Sequence, residues 1–164
     1  MKKLYIARHA KSSWKNPDLS DFERPLNKRG KRNAPFMGEL LKGMAIMPNL
    51  VVSSPAERAK TTAFTVSEII GYNFDKVKFN ESIYESGLFT LKEIVSNFSD
   101  EFESVMIFGH NPGFTSLNNF LSNKYIDNIP TSGIVCLELQ IDSWKNLSEK
   151  CGKQVFYEYP KKHS

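Results

Sequence analysis

Short unbroken apolar runs alternate along this chain with longer stretches of helical period. Leu-Tyr-Ile-Ala at 4–7 breaks off at Arg8-His9, and the lack of alternation predicts a fully buried strand over 3–8. Residues 9–26 have no period and contain Asn16-Pro17-Asp18, Ser20-Asp21 and Arg24-Pro25, which read as one long loop. Long loops inside compact domains are usually functional. Asn27 is placed to cap a helix over 28–43 whose apolar face is Ala34, Met37, Leu40, Leu41 and Met44. Pro35 predicts a kink or a late start in it, and Gly43 a stop.

The same alternation continues. Leu50 to Ser53 reads as a second buried strand, followed by a helix with Ser54 as N-cap and Pro55 at its first position. Its apolar positions are Ala59, Ala63, Val66, Ile69 and Ile70, and Gly71 ends it. A short strand is expected over 77–79, then a loop over 81–89. The box Thr90-Leu91-Lys92-Glu93 predicts a helix to about 98 with Ile94, Val95 and Phe98 inward. Residues 105–108 read as a fourth buried strand, and a helix to about 122 presents Phe114, Leu117, Phe120 and Leu121 on one face. A loop over 122–132 leads to a strand over 133–141. There Val135, Leu137, Leu139 and Ile141 alternate with Cys136, Glu138 and Gln140, as in a half-exposed, edge-ward strand. A last strand covers 154–159. Strands alternating with helices imply an α/β domain with a mainly parallel sheet between helical layers.

Composition narrows the function classes. The 164 residues suggest one domain, long enough to bury a core without staples. At 40% hydrophobic and 24% charged, the chain is expected to be globular rather than disordered. The net charge of +4 favours anionic ligands but is too small and scattered to point to nucleic acid. Cys136 and Cys151 have no metal or redox spacing and are expected as free thiols, with a bridge left open. His9, His110 and His163 lack ligand spacing, so neither a metal nor another cofactor is expected. The apolar run after Lys2-Lys3 is too short for an export signal, and no stretch reaches membrane-spanning length. A cytoplasmic protein with no membrane partner is the expectation.

Three strand ends carry chemistry. The first ends at Arg8-His9, the second at Ser53-Ser54-Pro55 with Arg58 one turn on, and the fourth at Gly109-His110. A parallel sheet brings such ends to one edge, where α/β folds place their ligand crevices. Two arginines, two histidines and two helix N-termini would then ring an anion site sized for a phosphoryl group. Each piece has a blander role. Arg58 reads equally as a surface arginine, His110 as a core histidine, and Ser53 and Ser54 as turn and cap residues.

The motif Arg-His-Ala-Lys-Ser-Ser-Trp at 8–14 resembles the Arg-His-Gly signature of the histidine phosphatase superfamily, with Ala10 in place of the usual glycine. Ser-Ser-Pro-x-x-Arg-Ala-x-x-Thr at 53–62 resembles its second motif and Gly-His-Asn-Pro-Gly at 109–113 its third. Arg24-Pro25-Leu26, Gly30 and the short length are similar to the small bacterial phosphohistidine phosphatase branch. The resemblance implies a phosphoglycerate mutase-like three-layer α/β/α sandwich, mainly parallel with an antiparallel edge strand. It implies His9 as the nucleophile that is transiently phosphorylated, with Arg8, Arg58 and His110 binding the phosphoryl oxygens. Arg24 is a further contact, or else the partner of Asp21 or Glu23. Glu85 is similar in position to the general acid of some members, or else a solvated loop residue. An imidazole leaving group, with a pKa of about 6.5, departs more easily than an alkoxide and tolerates a poor acid.

The implied activity is metal-independent hydrolysis of a phosphomonoester or of protein phosphohistidine. A mutase-type phosphotransferase is weakened by Lys11, where such enzymes usually have Glu, and by Lys15, where Asn is expected. A non-catalytic phosphate-binding module would need neither His9 nor His110. The expected partner is therefore a phosphorylated protein or small phosphoester, not nucleic acid, and the oligomeric state is left open.

Overall fold

A computed structural model describes residues 1–164. Its sheet is built from β1 (Lys2–Arg8), β2 (Leu50–Ser53), β3 (Lys78–Phe79), β4 (Ser104–Gly109), β5 (Ile134–Leu139) and β6 (Gly152–Glu158), in the order β3-β2-β4-β1-β5-β6. The helices are α1 (Lys28–Gly43), α2 (Glu57–Ile70), α3 (Leu88–Ser96) and α4 (Gly113–Leu121). β1, β2, β3 and β4 pair in parallel, whereas β5 runs antiparallel to both β1 and β6. The expected α/β sandwich with a mainly parallel sheet is therefore the fold of the chain.

The period-two pleat sorts the strand residues into two cores. Leu4, Ile6, Val105, Ile107, Val135 and Leu137 face α3 and α4, packing with Leu91, Val95, Phe114, Leu117 and Leu121. Tyr5, Ala7, Val51, Met106, Phe108 and Cys136 face α1 and α2, packing with Met37, Leu41, Ala63, Val66 and Ile70. Both faces of β1 and β4 are covered, so their apolar runs need no alternation. The chain after β1 goes to α1 on one face, while the chain after its neighbour β4 goes to α4 on the other. Their carboxyl ends thus flank a topological switch point, the place where open α/β sheets bind ligands.

Several local expectations are corrected. The alternating β5 is not at the edge; β6 is. β5 is buried apart from Glu138, because helices pack on both of its faces and β1 and β6 flank it. α2 begins at Glu57 with Ala56 as its cap, so neither Ser54 nor Pro55 belongs to it. α3 begins at Leu88, placing Thr90 inside the helix, and its N-cap Gly87 gives no side-chain bond. The local capping box loses to packing: Leu91 and Val95 are buried, while Ile94 and Phe98 are half-buried. α1 starts at Lys28 in spite of Pro35, with the Asn27 side chain accepting from Gly30 N–H at 2.8 Å. Met44 lies beyond its end and is exposed. Cys136 and Cys151 are free.

Two glycines permit close approaches beside the carboxyl ends of β1 and β4. A Cβ on Gly109 would stand 2.5 Å from the Phe114 ring, so only glycine lets α4 fold back against the end of β4. A Cβ on Gly30 would stand 2.1 Å from the Lys11 carbonyl oxygen. The first turn of α1 thereby presses on the loop after β1, and the Asn27 N–H donates to the same oxygen at 2.9 Å.

Candidate active site

Strand register assembles the site. Arg8 of β1 stands opposite Gly109 of β4, and Ser53 of β2 stands opposite Phe108. The residues just past these ends continue the pattern: His9 N–H donates to Gly109 at 3.0 Å and Ser54 N–H to Phe108 at 2.9 Å. His9 and His110, a hundred residues apart along the chain, consequently have ring centroids 5.1 Å apart. The cleft over them is lined by Arg8, His9, Lys11, Ser12, Trp14, Arg24, Arg58, His110, Asn111 and Thr131. These include four cationic side chains and no carboxylate.

His9 is buried, and its Nδ1 lies 2.7 Å from the Ala10 carbonyl oxygen. A carbonyl only accepts, so Nδ1 carries the hydrogen and Nε2 keeps its lone pair. Burial, opposed by that carbonyl bond and reinforced by the charges of His110, Arg58 and Arg8, lowers the His9 pKa to about 3. The imidazole is therefore neutral and nucleophilic at ordinary pH. Ala10 is held in turn: its N–H donates to Thr62 Oγ1 at 3.0 Å, and that hydroxyl donates to the Arg58 carbonyl at 2.7 Å.

His110 Nε2 lies 2.8 Å from Ser54 Oγ, which also accepts the Ala56 N–H at 3.2 Å. The hydroxyl keeps a second acceptor lone pair and its own hydrogen, so it pairs with either neutral tautomer of the ring, while Nδ1 is buried without a protein partner. Burial first, then the charge of Arg58, lowers the His110 pKa to about 4. Both histidines are thus kept neutral in a positive field, an arrangement suited to an anion that is attacked rather than protonated.

The arginines are fixed from behind. Arg8 Nη1 donates to the Ile129 carbonyl at 2.9 Å. Burial and the charge of Arg58 together hold the Arg8 pKa below the ordinary guanidinium value, a repulsion that a bound anion offsets. Arg58 donates to the Asp21 carbonyl at 2.6 Å and to Asp21 Oδ2 at 3.0 Å. Arg24 donates to Asp21 Oδ1 at 2.8 Å, to the Ser13 carbonyl at 3.1 Å and to Ser12 Oγ. Arg24 lines the cleft and pairs with Asp21, one of the two partners weighed for it. Glu23 bonds instead to Ser20.

Asp21, expected from the sequence only as a candidate partner of Arg24, is a hub. Its carboxylate also accepts from the Tyr84 hydroxyl at 2.5 Å, and with the two arginines this holds its pKa well below the carboxylate range. Burial and the bond to Asp21 raise Tyr84 to about 12, and its ring packs edge-on to His110 at 5.5 Å. Asp21 follows Ser20 in a turn, and nothing local distinguishes it from a loop carboxylate.

Of the sequence-predicted residues, Arg8, His9, Arg24, Arg58 and His110 meet in the cleft. Glu85 does not line it; it is exposed beside Tyr84 with φ at 58°. The helix N-termini contribute less than expected. The Glu57 N–H donates to the Phe22 carbonyl at 3.0 Å, and the Thr115 N–H donates to Asn111 Oδ1 at 3.1 Å. The positive field therefore rests mainly on side chains. No group of three or more His, Cys, Asp or Glu side chains comes together to hold a metal ion, and no helix is long and apolar enough to cross a membrane.

The family model of the histidine phosphatase superfamily (branch 1) matches residues 4–105. The chain belongs to this superfamily. That match ends before His110, which the strand register brings to His9 independently. Among curated proteins, this histidine phosphatase chain is 29% identical over 152 residues to an uncharacterised chloroplastic protein of Arabidopsis thaliana, covering 88% of this chain and 69% of that one. It is 27% identical over 166 residues to the uncharacterised protein Rv1276c of Mycobacterium tuberculosis, covering 94% and 99%. Among solved structures, the protein histidine phosphatase SixA complexed with tungstate superposes with a TM-score of 0.84 at 20% identity, covering 99% of each chain. The mycobacterial glucosyl-3-phosphoglycerate phosphatase Rv2419c complexed with VO3 gives 0.67 at 13% identity, covering 98% of this chain and 100% of that one. At these identities the likeness is one of fold, the phosphoglycerate mutase-like α/β fold.

Proposed function

We propose that this phosphatase removes a phosphoryl group from a phosphomonoester or a protein phosphohistidine through a covalent phosphohistidine on His9. The observation that carries the reading is the state of His9: a buried neutral imidazole, its Nδ1 hydrogen fixed on Ala10, its Nε2 lone pair unused, at the floor of a cleft with four cationic side chains. A module that only bound phosphate would gain more from a protonated histidine. That the SixA and Rv2419c structures hold tungstate and VO3 agrees with an oxyanion site in this fold.

In the first step the Nε2 lone pair forms a bond to phosphorus as the bond to the leaving oxygen or nitrogen breaks. The leaving group departs with the bonding pair and takes a proton. In the second step a water oxygen attacks the phosphorus and the bond to Nε2 breaks. The electron pair returns to the imidazole, one water proton restores the acid, and inorganic phosphate leaves. Arg8, Arg24, Arg58 and His110 hold the phosphoryl oxygens, and the fixed charge of the three arginines stabilises the transition state through position rather than covalent chemistry. Glu85 serves as the acid from the side of Tyr84, and its exposed place suits a leaving group with little need of one.

The test compares release of phosphate from a phosphohistidine protein with release from sugar phosphates, with and without EDTA, for the wild type and His9→Ala. Activity that survives EDTA and disappears in a folded His9→Ala variant supports the reading. Wild-type rates in that variant, or activity that EDTA abolishes, would overturn it.

A further inference from the structure

Trp14 is the one apolar residue lining an otherwise polar cleft, and it is 74% exposed. Such a side chain at a catalytic mouth calls for a cause. Its ring is not loose: the Arg24 guanidinium carbon lies 3.2 Å from its centroid, stacked against one face. Arg24 is itself buried and tied to Asp21, Ser12 and the Ser13 carbonyl, so the indole rests on a fixed support. The opposite face is left to solvent. Lys11 and Ser12, on the same loop, stand with it in the lining, and Gly30 of α1 packs against that loop from behind.

We infer that the free face of Trp14 is the leaving-group subsite, and that it selects substrates whose phosphoryl group is carried on a planar ring. Such a ring is the imidazole of phosphohistidine or the phenol of an aryl phosphate, as opposed to an alkyl alcohol. This rests on the proposed phosphatase reading and narrows its substrate class. The phosphoryl group sits on the cationic floor with His9, and the atom it leaves with must point toward the mouth, where Trp14 is. Flat rings gain from offset stacking on an indole, and the guanidinium behind the indole completes a layered stack. A methyl or glyceryl group presents no flat ring to the indole and gains less there.

Equilibrium binding of phenylphosphonate, methylphosphonate and inorganic phosphate tests this without needing turnover. The wild type is expected to bind phenylphosphonate about tenfold more tightly than methylphosphonate, a difference of the size of one stacking contact. Trp14→Ala should erase that preference and leave phosphate affinity within about twofold, while Trp14→Phe should retain most of it. Equal affinity of the wild type for the two phosphonates, with phosphate still bound, overturns the subsite alone. A wild type that binds neither phosphonates nor phosphate strikes at the anion site itself. If Trp14→Ala weakens all three ligands equally, the indole only positions Arg24, and the assignment is wrong. A phosphohistidine peptide and a phosphotyrosine peptide as competitors separate the two sources of a planar ring. The one that loses about tenfold with Trp14→Ala is the one read, and no loss for either overturns the proposal.

Discussion

Asp21 grips Arg58 twice, through its backbone carbonyl at 2.6 Å and through Oδ2 at 3.0 Å. The same carboxylate takes a hydrogen bond from Arg24. One loop residue thus fixes two cleft arginines that arrive from different parts of the chain. A guanidinium held in this way meets a phosphoryl oxygen without first losing side-chain freedom. Asp21→Asn keeps the backbone contact and one acceptor oxygen, whereas Asp21→Ala keeps only the backbone contact. Turnover of p-nitrophenyl phosphate should fall roughly threefold to tenfold in the first and on the order of a hundredfold in the second. Inorganic phosphate should also bind more weakly to Asp21→Ala. Unchanged phosphate affinity there would show that Asp21 positions nothing.

Both cleft histidines are held neutral, so stability should depend on pH through them. Their folded pKa values, about 3 for His9 and about 4 for His110, lie below the ordinary value of 6.5. The unfolded chain therefore takes up protons first as pH falls from 6.5, and the folded state loses stability down through the folded pKa values. The stabilisation is fully present above pH 6.5. Denaturant unfolding at about pH 5 should show a loss on the order of 1–2 kcal/mol for each histidine relative to pH 7. His9→Ala should remove its share of that dependence. A wild-type stability flat over this range would contradict the neutral-imidazole assignment.

Glu85 stands outside the cleft lining, and its role is separable by leaving group. Glu85→Gln should slow an alkyl phosphate by about 10²-fold or more, the usual contribution of a general acid, and leave a phosphohistidine substrate within about threefold. Kinetics on the matched pair reads this directly. Equal rates of variant and wild type on both substrates would remove Glu85 from the chemistry.

Gly109 tests the packing that delivers His110. Gly109→Ala brings a methyl group to 2.5 Å from Phe114 and 2.8 Å from Ile83, both fully buried. Overpacking of this kind costs about 1–3 kcal/mol, and α4 must move to relieve it. A lowered Tm together with reduced activity is expected, and an unchanged Tm would show that the end of β4 is looser than it looks.

Much of the fold and of the cleft is legible from residues alone, for a physical reason. The runs ending at Arg8, Ser53 and Gly109 are buried on both faces, so each reads as a strand without knowledge of its partner. Parallel topology then forces their ends to one edge, and with them His9, Ser54 and His110. Other features depend on contacts distant in sequence. Ser54 reads as a helix cap, but its hydroxyl serves His110, fifty-six residues away. The alternation in β5 suggests exposure, yet the Cys136 side of the strand is closed by the packing around Met37 and Phe108. Asp21 joins Arg24, Arg58 and Tyr84, and only the first is a near neighbour along the chain.

The most direct measurement is the mass of the enzyme mixed with substrate and quenched under denaturing, alkaline conditions, where a phosphorylated imidazole survives. The wild type should gain the mass of one phosphoryl group, mapped to the peptide containing His9, and a folded His9→Ala variant should gain none. Turnover with no such adduct on the wild type, or the same adduct on the variant, would contradict the central claim that the lone pair of His9 takes the phosphoryl group.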